Sequence, residues 1–201
     1  MSKDEIVLII DKSGSMDAIK DDAIGGFNSF LSQQRNIDRE ANVTFALFDD
    51  RHQLVYNGKD INEVNDLTPK TYQPSGMTAL LDAVGRTVDR VGERLDELNE
   101  SEKPENVIVF ILTDGMENAS SEYSRDQIKE MIEHQESKYS WEFIYGGANQ
   151  DAFTEAGGMG IKAENTFNFE ASGEGTRKAY ENSSDMVASY RMEPEPQDSK
   201  E

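Results

Sequence analysis

The sequence predicts an α/β protein: a three-layer α/β/α sandwich around a doubly wound, mostly parallel sheet with one antiparallel edge strand. Three observations carry this. Two continuous apolar runs, 6–10 and 107–111, read as strands buried on both faces. Stretches with helical spacing separate the strand-like segments, as parallel crossovers require. One connection, Asp49-Asp50, is too short for a crossover and so marks an antiparallel edge.

Taken in order, the strand at 6–10 ends at Asp11 and a turn, Lys12-Ser13-Gly14-Ser15. The spacing of Ile19, Ala23, Ile24, Phe27, Phe30 and Leu31 predicts a helix over 17–35, with Asp17, Asp21 and Asp22 at its N-terminal, dipole-favoured end. Gly25-Gly26 weakens that helix intrinsically, so close packing on the sheet is expected there. Residues 42–48 alternate as a strand, and 52–56 return antiparallel until Asn57-Gly58 ends the hairpin. Ile61, Val64 and Leu67 suggest a short helix at 60–67. A loop with two prolines, 68–76, leads to Thr78 and a helix to about residue 98. It places Leu81, Val84, Val88, Val91, Leu95 and Leu98 on one face.

The second buried strand, 107–112, is followed by Thr113-Asp114-Gly115 and a loop, 115–121, that reads as mobile. A helix at 124–138, a strand at 141–145 ended by Gly146-Gly147, a short helix at 151–156, an edge strand at 166–169 and a helix at 175–190 complete the fold. Residues 1–191 read as one domain. The remainder, 192–201, is acidic, carries two prolines and should be disordered.

Composition narrows function. The chain has 201 residues, 40 Asp and Glu against 20 Lys and Arg, and a net charge of -20. Nucleic acid and anionic membrane are therefore expected to be poor partners, and no cluster of Lys and Arg is visible along the sequence. No apolar run approaches the roughly 20 residues that span a bilayer. Cysteine is absent, so disulfide and thiol chemistry are excluded. No secretory leader is visible, and a cytoplasmic location is expected. The two histidines, His52 and His134, are isolated. His52 reads as a solvated strand residue, and neither is assigned a role.

The chemistry concentrates at the strand ends. Asp11, Ser13 and Ser15 alternate around Gly14, so their oxygens can converge. Thr78 follows the proline loop, where its alternative role is to cap the next helix. Asp114 leaves the second buried strand. Hydroxyl and carboxylate oxygens are hard donors, suited to Mg²⁺, Mn²⁺ or Ca²⁺. No sulfur or imidazole lies nearby, which disfavours zinc. Ligands of open α/β sheets sit at this edge, where the strand order reverses.

The pattern D-x-S-x-S at Asp11, Ser13 and Ser15, with a distant Thr78 and a distant Asp114, resembles the metal-ion-dependent adhesion site of von Willebrand factor type A domains. The resemblance implies a doubly wound, Rossmann-like sheet. It also implies a divalent cation held by Asp11, Ser13, Ser15, Thr78 and Asp114, largely through water for the aspartates. One coordination position would be left for an Asp or Glu carboxylate of a partner protein, making the chain a binding module rather than an enzyme. Two alternatives stand beside it. One is a metal-stabilised scaffold that binds its partner elsewhere. The other is a phosphotransferase of the haloacid-dehalogenase type, which needs a second acid where this chain has Ser13.

Overall fold

The computed structural model describes residues 3–148 and 151–192. β1 (Lys3–Asp11) lies in the middle of a six-stranded sheet. It pairs in parallel with β2 (Glu40–Phe48) on one side and β4 (Asn106–Thr113) on the other. β5 (Glu142–Ala148) and β6 (Thr166–Phe169) extend the parallel sheet beyond β4, and β3 (His52–Asp60) closes the opposite edge antiparallel to β2. The order is β3-β2-β1-β4-β5-β6, so the winding reverses between β1 and β4. That reversal opens a crevice at the carboxyl ends of these two strands.

The pleat divides the core. Ile6, Leu8 and Ile10 face one side, with Phe27 and Phe30 of α1 (Lys20–Arg35) and Tyr180 of α5 (Gly173–Met192). Val7 and Ile9 face the other, where α2 (Leu80–Asp96), α3 (Arg125–Tyr139) and α4 (Ala152–Gly158) supply Val84, Val88, Ile128, Ile132 and Ala156. These side chains are fully buried, and each large one stabilises the fold by about 1.5–3 kcal/mol. Both faces of β1 are thus covered, which is why its sequence is apolar without alternation.

Several local expectations need correction. The helix expected from residue 17 begins as a 3-10 turn, Gly14–Ile19, because Met16 and Ile19, three apart, both point into the core. Gly26 packs on α5 rather than on the sheet: a β-carbon there would lie 2.2 Å from the Tyr180 ring, whereas Gly25 meets nothing within 4 Å. Asn57-Gly58 does not end β3. Gly58 adopts φ +73° within a β-bulge, and the strand continues to Asp60. The expected helix at 60–67 shrinks to a 3-10 turn, Ile61–Glu63, capped by Asp60. Gly146-Gly147 lies inside β5, and at Gly146 the ring of Phe167 on the neighbouring strand fills the space a side chain would need. His52 is half-buried and hydrogen-bonds Thr87 through Nε2 at 2.9 Å, not solvent alone. Of the expected tail, Met192 closes α5 and 193–201 lie outside the described residues.

The opposite edge of the sheet is anchored by charge. Arg191 of α5 is fully buried and donates to Asp4 (3.0 Å), to the Gln34 side chain and to the carbonyls of Gln34 and Arg39. Asp4, also fully buried, accepts further from Arg39 and Asn106. Among the described residues no helix is long and apolar enough to cross a membrane.

Candidate metal centre

Asp11 is the last residue of β1, and Asp114 follows the last residue of β4. Because the strands run in parallel register, with Ile10 opposite Leu112, both carboxylates emerge at the same edge. The chain then turns sharply at Ser13-Gly14. The Ser13 amide donates to Asp11 Oδ1 (2.6 Å), and Thr113 Oγ1 donates to Asp11 Oδ2 (2.6 Å). The Asp11 carbonyl accepts from the buried Tyr72 hydroxyl at 2.6 Å. Asp11 is thereby held in one orientation from both sides.

The two serines lie against each other, Oγ to Oγ at 3.1 Å, and Ser15 donates to Asp114 Oδ1 at 2.6 Å. Thr78 arrives from the other direction. A β-carbon placed on Gly115 would stand 2.9 Å from Thr78 Oγ1 and 3.6 Å from Ser15 Oγ, so these hydroxyls face one small volume left open by that glycine. All five oxygen-bearing residues singled out in the sequence therefore meet at the crevice. Asp11, Ser13, Thr78 and Asp114 are buried, and Ser15 is exposed at the mouth.

The loops are braced together. Gly14 N–H donates to the Gly76 carbonyl and Ser75 N–H to the Lys12 carbonyl, which fixes the proline loop to the serine turn. The Lys12 ammonium pairs with the buried Asp49. Thr78 does not cap α2, whose cap position is Ala79 without a side-chain bond. The orphan amides at that helix start are met from another loop: Glu117 accepts from Leu81 N–H (3.0 Å) and Ser120 Oγ from Asp82 N–H (3.1 Å). In return Asp82 accepts from the amides of Ser121, Glu122 and Tyr123, each at 2.9 Å. Asn118 and Thr78 exchange a further pair of bonds. The loop at 115–121, expected to be mobile, is thus zipped onto α2 and fixes Asp114 relative to Thr78.

Electrostatics set the chemistry. Burial pushes the Asp11 carboxyl up to about 6, against the opposing pull of Thr113 and Ser13; the neighbouring Asp114 adds to the rise. Burial also raises Asp114, with Ser15 opposing. Neither carboxylate has an ion-pair partner among the described residues. Asp82 differs: burial raises its carboxyl, but the three amides outweigh that and the net shift is downward. No cluster of three or more His, Cys, Asp or Glu that could hold a metal occurs among the described residues. A cation here would rest on three hydroxyls and two carboxylates. That donor set, the cradle opened by Gly115 and two uncompensated buried acids fit a hard divalent ion.

Sequence reading missed the supporting groups Tyr72, Thr113, Asp82, Glu117 and Asn118. Thr113, beside Asp114 at a strand end, carried a local signal. The rest act on residues tens of positions away, which no local pattern reveals.

No protein-family model matches the chain, and no curated protein matches it in sequence. Solved structures do match its fold. Proximal thread matrix protein 1 from the mussel byssus, in a form with a zinc-occupied MIDAS motif, superposes with a TM-score of 0.61 at 17% identity over 92% of this chain. This chain covers 46% of that one, less than half its length. The vWF domain of the type V pili tip protein Mfa5 from Porphyromonas gingivalis gives 0.66 at 11% identity over 98% of this chain and 99% of its own. Manganese-loaded TRAP protein from Plasmodium vivax gives 0.63 at 16% identity over 94% of this chain and 73% of its own.

Proposed function

We propose that this chain, which has the von Willebrand factor type A fold, is a metal-dependent protein-binding module. Asp11, Ser13, Ser15, Thr78 and Asp114 would hold one divalent cation, Mg²⁺ or Mn²⁺ by donor type. The reading is carried by the hydrogen-bonded run of Asp11, Ser13, Ser15 and Asp114, by the hydroxyls of Thr78 and Ser15 facing the space left at Gly115, and by two buried acids without a cationic partner among the described residues. The zinc-occupied motif of the mussel neighbour means that zinc is not excluded on donor type alone. A hard cation takes six or more oxygens. Three hydroxyls beside two carboxylates engaged by Thr113, Ser13 and Ser15 leave room for an outside ligand, and an Asp or Glu of a partner protein fits that position.

The rim supports a protein partner. Met77 and Met116 flank Thr78 and Gly115 and are 56% and 62% exposed. Exposed methionines beside a polar centre are what an interface presents. A catalytic use would need a general base beside the cation. His52 is engaged with Thr87, and His134 lines a cavity with Val107 at the opposite edge of the sheet.

The test is calorimetric titration with Mg²⁺, followed by pull-down from cell lysate in Mg²⁺ and in EDTA. Ser13→Ala with Ser15→Ala should abolish both Mg²⁺ binding and Mg²⁺-dependent capture while the fold persists. Mg²⁺ affinity unaltered in the double variant means these are not the ligands. Capture indifferent to EDTA points instead to a scaffold that binds elsewhere.

A further inference from the structure

The chain carries twice as many acids as bases, yet one groove beside the candidate metal centre is lined by three cations and no acid. It has a volume of about 530 Å³, and Lys12, Arg51 and Lys70 border it together with Gln53, Thr71 and Gln73. These cations are far apart in sequence, so no basic cluster could be read from it. The hairpin β2–β3 brings Arg51 to the groove, the proline loop brings Lys70, and the serine turn brings Lys12.

The three differ in availability. Lys12 is committed to the buried Asp49. The Arg51 side chain is 75% exposed and only 3.5 Å from the same Asp49, a loose contact. Lys70 is exposed and makes no ion pair among the described residues. Asp50, the nearest exposed acid in sequence, faces Gly76 and does not line the groove. Two exposed cations thus border a groove that Leu47, Val55 and Leu67 also line: Arg51, loosely held by Asp49, and Lys70, which has no ion-pair partner among the described residues.

The groove adjoins the metal centre. Its wall at Gln73, Pro74 and Ser75 runs directly into Gly76 and Thr78, and Ser75 N–H is bonded to the Lys12 carbonyl (2.8 Å) between Asp11 and Ser13. We propose that this groove docks an acidic, extended segment of the partner protein, contiguous with the carboxylate that reaches the cation. The inference rests on the metal-dependent binding reading and names the partner's chemistry. It also removes a conflict within that reading. A net charge of -20 repels an acidic ligand at long range, but surface fields decay over about 8 Å at physiological salt. Within that distance the exposed Arg51 and Lys70 can pair directly with a ligand's acids, and their amphipathic stems beside the apolar lining suit a segment that mixes acids with aliphatic residues.

The probe is a fluorescein-labelled peptide of about ten residues alternating Glu and Leu. At about 3.3 Å per residue it is long enough to run from the centre along the groove. Anisotropy titrations in Mg²⁺ and in EDTA compare the full chain with Arg51→Ser/Lys70→Ser, both exposed positions outside the proposed ligand set. The double variant should bind the peptide about tenfold more weakly, with a shallower salt dependence, and should bind Mg²⁺ with parental affinity by calorimetry. Equal peptide binding by parent and variant, or no binding by either, overturns the groove; the Mg²⁺ titration then judges the metal centre separately. Binding lost in the variant but indifferent to EDTA upholds the groove and overturns the metal bridge. A control peptide alternating Gln and Leu that binds as tightly as the acidic one also overturns the proposal.

Discussion

Gly115→Ala separates metal binding from folding more cleanly than removal of a ligand does. The φ of Gly115 is not positive, so the backbone accepts alanine there without strain. In the unfolded chain the substitution lowers entropy, which favours folding by about 0.4–1 kcal/mol. The new methyl would stand 2.9 Å from Thr78 Oγ1 and 3.6 Å from Ser15 Oγ. The first distance is below contact, and the cheapest relief is rotation of Thr78 about χ1, which takes its hydroxyl out of the cradle. The methyl also fills the space the cation would occupy. Loss of an outer-shell partner alone typically costs 10–100-fold in metal affinity, about 1.4–2.8 kcal/mol, and a displaced ligand should cost at least that. Calorimetry with Mg²⁺ reads the affinity, and thermal unfolding in EDTA reads the fold. The expected result is Mg²⁺ binding weakened by about a hundredfold or more with metal-free stability changed by about 1 kcal/mol or less. Parental Mg²⁺ affinity in Gly115→Ala would refute the placement of the cation between Thr78 and Ser15.

Other perturbations probe the scaffold. Asp82→Asn keeps one acceptor for the three amides of 121–123 and should destabilise by about 1–2 kcal/mol in urea unfolding at neutral pH. The folded Asp82 carboxyl is held below its ordinary value, so its contribution is complete above the unfolded pKa, about 3.9. It fades as pH falls through the lower folded value. The gap between parent and variant should therefore be constant down to about pH 4 and shrink below it; a gap that grows on acidification contradicts this. Gly26→Ala forces the Tyr180 ring, 2.2 Å from the new carbon, to move and should cost about 1–3 kcal/mol, whereas Gly25→Ala should not destabilise. Arg191→Met strips buried partners from Asp4 and two carbonyls and should cost about 3–5 kcal/mol in urea unfolding; a change under about 1 kcal/mol would mean that Asp4, Arg39 and Asn106 compensate.

The legible parts of the sequence were those with a local period or a local motif. The strand at 6–10 and that at 107–111 showed themselves by continuous apolarity, and the helical faces of α1 and α2 by three- and four-residue steps. The hairpin was forced by the shortness of Asp49-Asp50. Thr78 and Asp114 stood out because each follows a recognisable strand or loop boundary. What escaped was set by partners far away in sequence. Gly58 and Gly146 look like stops but serve a bulge and a close approach of Phe167. Gly26 answers to Tyr180, more than 150 positions on. The loop after Asp114 is polar and lacks periodicity, the usual marks of mobility, yet Glu117, Asn118 and Asp82 lock it in place. The cationic groove was invisible for the same reason, since Lys12, Arg51 and Lys70 become neighbours only through the hairpin and the proline loop.

A crystal of the protein grown in saturating Mn²⁺, with anomalous data collected at the manganese edge, tests the centre most directly. The expected result is one strong peak in contact with the hydroxyls of Ser13 and Ser15 and close to Thr78, Asp11 and Asp114, with at least one coordination position filled from outside the chain. A peak elsewhere, or none under saturating metal, would contradict the existence of this centre.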